Sequence, residues 1–263
     1  MTTDTVGGVW SYTVELCKSL LPHNVEFHLV TTGAALKTDQ KTEVYLLSNV
    51  TVYETDFLLE WMEDPWDNIN ASGEYLLQLE KKINPDIIHL NSYAYGGLGW
   101  KAPVVVVAHS DVYSWWQAVK KESPPTAWNT YYQKVKTGIS DADYLIAPSD
   151  WMMTAIRKIY HVSVAGEVIY NGRNAGLFYQ SEKQPFVFSM GRVWDEAKNI
   201  SLLVAAAPGI NCPVKIAGDN SFENNQIAAE GVNITYLGKL PLPEIAEVLS
   251  KAAVYVLPAT YEP

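Results

Sequence analysis

At 263 residues with 48% hydrophobic content, the chain can hold one large α/β domain or two small ones around a real core. Lys plus Arg total 19 against 29 acidic residues, a formal charge of −10, which excludes broad electrostatic capture of nucleic acid or of an anionic membrane. The two cysteines, Cys17 and Cys212, lie far apart in apolar periodic segments, so reduced, buried thiols are expected and no metal site.

Only Met1, Thr2 and Thr3 precede the loop DTVGG, so the opening strand reads as a stub. Gly7 and Gly8 then open a helix over Gly8 to Leu21, with Val9, Tyr12, Leu16 and Leu20 predicted on its apolar face. Strand-length apolar runs follow, alternating with helix-period segments: VEFHLVTT, DIIHLN, PVVVVAH, DYLIAPS and GEVIYN. The polar, turn-rich stretch VIYNGRNAGLFYQSEKQP interrupts the series and predicts a domain boundary near Gly172, with units over 1–172 and 173–263. FVFSMG, PVKIAG, NITYLG and AVYVLP continue it, for about six strands before the boundary and four after. Such alternation predicts parallel sheets, and the Val104 to Val107 run suits a strand buried on both faces. Tyr255, Val256 and Leu257 read as the end of a last buried strand. No apolar run reaches the length of a membrane span, and the basic-then-apolar build of a signal peptide is missing, so a cytoplasmic location is expected.

In a parallel α/β sheet, ligands bind beyond the carboxyl ends of the strands. Those positions hold Gly7 and Gly8, then Ser92, Tyr93, Gly96 and Gly97, then His109, Ser110 and Asp111. Further on they hold Gly191, Arg192 and Lys198, then Gly218, Asp219 and Asn220, and finally Glu262. Gly7-Gly8 lets backbone N–H groups approach an anion, although an ordinary tight turn has the same appearance. Arg192 and Lys198 with a helix dipole are enough to hold a diphosphate, or else they are surface cations balanced by Asp195 and Glu196. His109 is equally readable as a core histidine and as a ligand. The aromatic set Tyr113, Trp115, Trp116, Trp128, Tyr131 and Tyr132 reads first as helix packing and second as a sugar-stacking surface. No GxGxxG follows the first strand and no acid occupies the ribose position, which argues against a nicotinamide dehydrogenase.

In order, TTDTVGGVWSYTVEL, VVVVAHSD, SDADYLIAPSDWM with VIYNGRN, FSMGRVWDEAKNISLLVAAA and LPATYEP resemble the motifs of the retaining glycosyltransferases of family 4, over nearly the whole chain. The resemblance implies the GT-B architecture of two Rossmann-like domains facing across a cleft, the second incomplete here. It implies transfer of a sugar from a nucleotide-diphospho-sugar to an acceptor that is a sugar, a lipid or a small molecule, with no metal or other cofactor. Arg192 and Lys198 would neutralise the diphosphate, and His109 and Glu262 would bind sugar hydroxyls. Gly7, Gly8, Gly191, Gly218, Asp219 and Ser149 would contact donor or acceptor. Three positions depart from the family pattern. Asn199 replaces a glycine, AGDN replaces glycine-x-glycine, and the sequence stops before the second glutamate that holds the nucleotide ribose. From that stop a complementary C-terminal chain or a second copy is expected to cover the second domain. The rival expectation is a non-catalytic sugar- or nucleotide-binding or docking module descended from such an enzyme. A two-domain periplasmic binding protein would need an export signal, and none is seen.

Overall fold

The computed structural model describes residues 1–219, 221–222, 225–226 and 232–263. They form two compact units, one of Met1–Gln117 and Glu122–Arg173 with Pro263, the other of Ala118–Lys121 and Asn174–Glu262. No helix among the described residues is long and apolar enough to cross a membrane.

The first unit runs β1 (Thr2–Asp4), α1 (Gly8–Leu20), β2 (Phe27–Thr32), α2 (Thr38–Tyr45), β3 (Val50–Tyr53), α3 (Trp66–Ile83) and β4 (Ile88–Leu90). It continues through β5 (Val104–Val107), α4 (Val112–Trp115), α5 (Asn129–Ser140), β6 (Tyr144–Ala147), α6 (Asp150–Tyr160) and β7 (Gly166–Val168). Every strand pairing is parallel, in the orders β1-β2-β3 and β4-β5-β6-β7. The two sets meet where Asn91, just past β4, donates its backbone N–H to Thr2 Oγ1 (3.1 Å) and its side-chain N–H to Thr2 O (2.8 Å). Across that seam the order is β3-β2-β1-β4-β5-β6-β7, and the winding direction reverses between β1 and β4. A crevice at the carboxyl ends of β1 and β4 follows from that reversal.

The core explains the sequence pattern. Val104, Val106 and Val107 are buried because helices cover both sheet faces, so β-branched residues are favoured at successive positions. α6 buries Met152, Met153, Ile156 and Tyr160, one helical stripe, against Leu145 and Val106. Two expectations need correction here. α1 buries Trp10, Thr13, Val14 and Cys17, whereas Val9, Tyr12, Leu16 and Leu20 are only partly buried. The stripe is displaced by one residue because Thr13 satisfies its hydroxyl on Thr3 (2.8 Å) and can therefore be buried. β3 was not predicted, since VTVY is short and half polar.

The second unit holds β8 (Gln184–Met190), α7 (Ile200–Ala206), β9 (Val214–Ala217), the short antiparallel pair β10 (Ser221–Phe222) and β11 (Asn225–Gln226), β12 (Ile234–Gly238), α8 (Leu242–Lys251) and β13 (Ala252–Tyr255). Its sheet is parallel, in the order β12-β9-β8-β13, so the winding reverses between β8 and β13. Val187, Ile200, Leu203, Val214 and Ile216 pack on one face and Phe186, Phe188, Ala217 and Ala252 on the other. β13 is an edge strand of this sheet. Its Val254 and Tyr255 are 51% and 39% exposed, which corrects the expectation of a buried last strand. Both cysteines are free thiols, Cys17 buried and Cys212 only partly so.

Candidate functional site

Each unit collects its chemistry at its own point of reversal. In the second unit the chain leaves β8 at Met190, and Gly191 and Arg192 follow at the carboxyl end. Gly218, just past β9, lies against this turn so closely that a Cβ there would sit 1.7 Å from the Gly191 carbonyl oxygen. Backbone bonds lock the contact: Gly191 N–H donates to Ala217 O (3.0 Å) and Val193 N–H to Asp219 O (2.9 Å). Gly218 therefore shapes the loop that carries Arg192, and Asp219 supplies a backbone carbonyl to it. Asn220 lies outside the described residues.

Arg192 Nη2 donates to Asp195 Oδ2 at 2.6 Å, and its guanidinium lies 5.3 Å from the centre of the Trp194 ring. Asp195 also caps the turn Glu196–Lys198 by accepting from Ala197 N–H (3.0 Å). The Lys198 stem runs along Gly191, its Cγ 3.4 Å from where a Cβ on Gly191 would stand, and its ammonium pairs with Glu262. Of the two balancing partners considered, Asp195 does meet Arg192, whereas Glu196 pairs with Lys120 at 2.5 Å.

Two loops bring Glu262 to this point. Thr260 N–H donates to Ala197 O (2.9 Å), and Asn199 Nδ2 donates to Pro258 O (3.1 Å). Asn199 has φ +51°, a left-handed conformation that asparagine tolerates better than most residues, which accounts for its standing where a glycine is usual. Gly191, Arg192, Lys198, Gly218, Asp219 and Glu262 are thus one constellation at the carboxyl ends of β8, β9 and β13.

The first unit assembles a second set. Gly7 has φ +78° and ψ −144°, a region essentially restricted to glycine, and it precedes α1 without a side-chain cap. Gly7 and Gly8 are both exposed, at the end of α1 whose first-turn N–H groups have no intrahelical acceptor. His109, past β5, places Nε2 at 2.9 Å from Asn91 Oδ1 and packs edge-on against Tyr12, with ring centres 4.6 Å apart. Burial, with His89 nearby, holds its pKa down to about 3, so its imidazole is neutral at physiological pH.

Other expected rim residues are committed to the scaffold. Asp111 is buried and caps α4, accepting from Tyr113 N–H (2.9 Å), Ser114 N–H (3.1 Å) and Tyr160 O–H (2.7 Å). Ser149 Oγ accepts from Met152 N–H (3.1 Å) as the N-cap of α6. The signal for both was in the sequence, a Ser or Asp immediately before a helical period. Tyr113, Tyr131, Tyr132 and Tyr160 pack on one another, with Tyr132 stacked 5.0 Å from Tyr160, so this part of the aromatic set is core.

Glu60, in the loop after β3, went unnoticed in the sequence. Its carboxyl is buried beneath the turn after β4, accepting from Tyr93 N–H (3.1 Å) and Ala94 N–H (2.8 Å). Burial pushes its pKa up from 4.5 to about 7, against the pull of those N–H groups. Between these values the folded chain holds a proton that the unfolded chain has released, so stability falls as pH rises through that window. His89 and His109, held neutral by burial, act in the opposite sense, so the Glu60 contribution is read as a difference between proteins: Glu60→Gln should lose more denaturant resistance relative to wild type at about pH 5 than at about pH 8. An unchanged pH slope in Glu60→Gln would assign the effect elsewhere.

Comparison with known proteins matches residues 6–176 to the family model Glycosyltransferase Family 4 and residues 178–263 to Glycosyl transferases group 1. None of the curated proteins compared matches the chain. Among solved structures, the sucrose-phosphate synthase of Thermosynechococcus elongatus is similar at 17% identity and TM-score 0.74, over 100% of this chain and 73% of that one. The Anabaena protein HepE in complex with UDP-glucose is similar at 16% identity and TM-score 0.68, over 100% and 75%. MurG of Acinetobacter baumannii is similar at 12% identity and TM-score 0.52, over 97% and 71%. At these identities the structural likeness speaks for the fold alone. With two thirds of its length in the first family model, two Rossmann-like units and GT-B neighbours, the chain belongs to glycosyltransferase family 4 and is a glycosyltransferase of the GT-B fold.

Proposed function

We propose that the chain is a retaining glycosyltransferase that takes its sugar from a nucleotide-diphospho-sugar. The observation that supports this most is the placement of Arg192 and of the Lys198–Glu262 pair on the loops at the reversal point of the second sheet. Two cations there can take the charge that builds on a departing diphosphate. Both are paired with carboxylates in the free protein, yet partly exposed pairs of this kind contribute only about 0–1 kcal/mol. A diphosphate offering several charge-assisted bonds exchanges with them at little cost. Once Lys198 turns to phosphate, Glu262 is released to accept from sugar hydroxyls.

In this reading the bond between the sugar C1 and the diphosphate oxygen breaks, and the acceptor oxygen bonds to C1 from the same face. The acceptor's proton passes to the departing phosphate oxygen, so no protein base is needed. Arg192 and Lys198 supply the positive charge, and the scheme includes no metal step. Gly7, Gly8 and the neutral His109 offer N–H groups and a ring nitrogen to donor or acceptor.

HepE was solved with UDP-glucose, which makes that compound the first donor to try. Time-resolved proton NMR of its slow turnover by the protein would show α-glucose, or an α-glucoside, before any β-anomer, at a rate unchanged by EDTA. Initial β-product would overturn retention. Binding without turnover across a panel of nucleotide sugars would favour a non-catalytic binding module.

A further inference from the structure

Asn91 was not singled out by its sequence, yet it joins four elements at the reversal point of the first sheet. Its side-chain Nδ2 donates to the backbone carbonyl of Thr2 at 2.8 Å and lies 3.3 Å from Thr13 Oγ1. Its Oδ1 lies 2.9 Å from His109 Nε2. Thr13 is itself held by Thr3, hydroxyl to hydroxyl at 2.8 Å.

This arrangement fixes who donates. A backbone carbonyl only accepts, so turning the Asn91 amide over would set two oxygens against each other at Thr2. The amide nitrogen must face Thr2 and the amide oxygen must face His109. An oxygen with no hydrogen of its own can only accept, so His109 Nε2 must carry a proton. The remaining ring nitrogen, Nδ1, has no hydrogen-bond partner among the described residues.

We propose that Asn91 is a positioning residue of the transfer site: it sets the tautomer of His109, so that Nδ1 presents a lone pair to a hydroxyl of the bound sugar. This rests on the donor reading given above. The low pKa of His109, brought about by burial and by His89, keeps the second nitrogen unprotonated at physiological pH. The titratable groups facing the ring are His89 from β4 and Tyr12 from α1. His89 is itself held down to about 4, again chiefly by burial. Among the described residues, no neighbouring group supplies a charge that would favour imidazolium. A ring held this way recognises a hydroxyl donor and leaves its own polar atom unsatisfied when the sugar lacks that hydroxyl, which is how a site discriminates against deoxy analogues.

Long-range nitrogen–proton NMR on protein with labelled histidine reads the tautomer directly, with the His109 signal assigned by its absence in His109→Gln. The expected spectrum at neutral pH is a neutral ring protonated on Nε2, whose Nδ1 resonance shifts on addition of UDP-glucose. In Asn91→Asp the added carboxylate faces Nε2 and should raise the His109 midpoint by about one to three pH units. The acid limb of the turnover profile should move up with it, because only the neutral ring accepts from a hydroxyl. A ring protonated on Nδ1 in the wild type, or an Asn91→Asp midpoint equal to the wild type, would overturn the proposal. Because the wild-type tautomer needs neither a variant nor turnover, misfolding of Asn91→Asp does not remove the test. Nδ1 protonation together with Lys198-dependent transfer would sink the positioning role alone. The expected tautomer without turnover of any nucleotide sugar would sink the transferase reading and leave Asn91 as the residue that sets the ring.

Discussion

Lys198→Ala should lower kcat for sugar transfer by roughly 10²- to 10³-fold, the loss seen when one preorganised charge-stabilising donor is removed. The lysine is placed for this role along its whole length. Its side chain is 19% exposed, its stem lies at van der Waals distance from where a Cβ on Gly191 would stand, and its ammonium reaches Glu262. The charge is therefore already aimed in the free protein and needs little reorganisation when the diphosphate departs. Truncation should leave the fold nearly intact, because the partner carboxylate is 53% exposed and regains water when the ammonium is gone. A melting temperature close to wild type with collapsed kcat is the expected pair of results. Lys198→Arg keeps the Cβ–Cγ–Cδ stem along Gly191 but replaces a compact ammonium with a broad planar fork, so it should rescue only in part. A Lys198→Ala kcat within threefold of wild type would remove Lys198 from the chemistry. Glu262→Gln made alone and together with Lys198→Ala separates the two contributions, because residues in contact fail to add.

The parts of this site that could be read from the sequence are those whose chemistry is local. Arg192 and Lys198 stand six positions apart on one strand-to-helix turn, so their shared place at the carboxyl end of β8 follows from the chain's own geometry. The strand series was legible for a similar reason: a run such as Val104 to Val107 states its burial without reference to any partner. β3 and the buried face of α1 were not legible, since VTVY and Thr13 owe their places to neighbours that satisfy their polar groups. Asn91 and Glu60 could not be seen at all. Asn91 meets Thr2 across 89 positions of sequence, and Glu60 meets Tyr93 across 33, so their roles exist only once β1 lies beside β4. Asp111 was read from its place at the rim and Ser149 from the family resemblance, and the structure adds a local role to each: an oxygen of each accepts from N–H groups of the helix it begins.

Gly218→Ala should be among the most damaging single substitutions in the second unit, at about 3 kcal/mol or more of unfolding free energy. Two effects add. The backbone sits at φ +140°, which L side chains rarely adopt, and the new methyl carbon would fall 1.7 Å from the Gly191 carbonyl oxygen. That oxygen belongs to main chain held by its own hydrogen bond to β9, so it cannot swing aside as a side chain would. Gly238 offers the control. It too has positive φ, +68°, and its carbonyl accepts from Gly218 N–H at 2.8 Å, yet a Cβ there would meet nothing within 4 Å. Gly238→Ala should therefore cost only the conformational strain of about 1–2 kcal/mol. Equal losses in the two variants, measured by denaturant unfolding, would show that the Gly218–Gly191 approach is soft. The expected gap would show that it is rigid, and UDP affinity should then fall in Gly218→Ala and hold in Gly238→Ala. Only the first substitution pushes on the turn that aims Arg192 and supports the stem of Lys198, so the backbone contact and the two cations would be tested as one device.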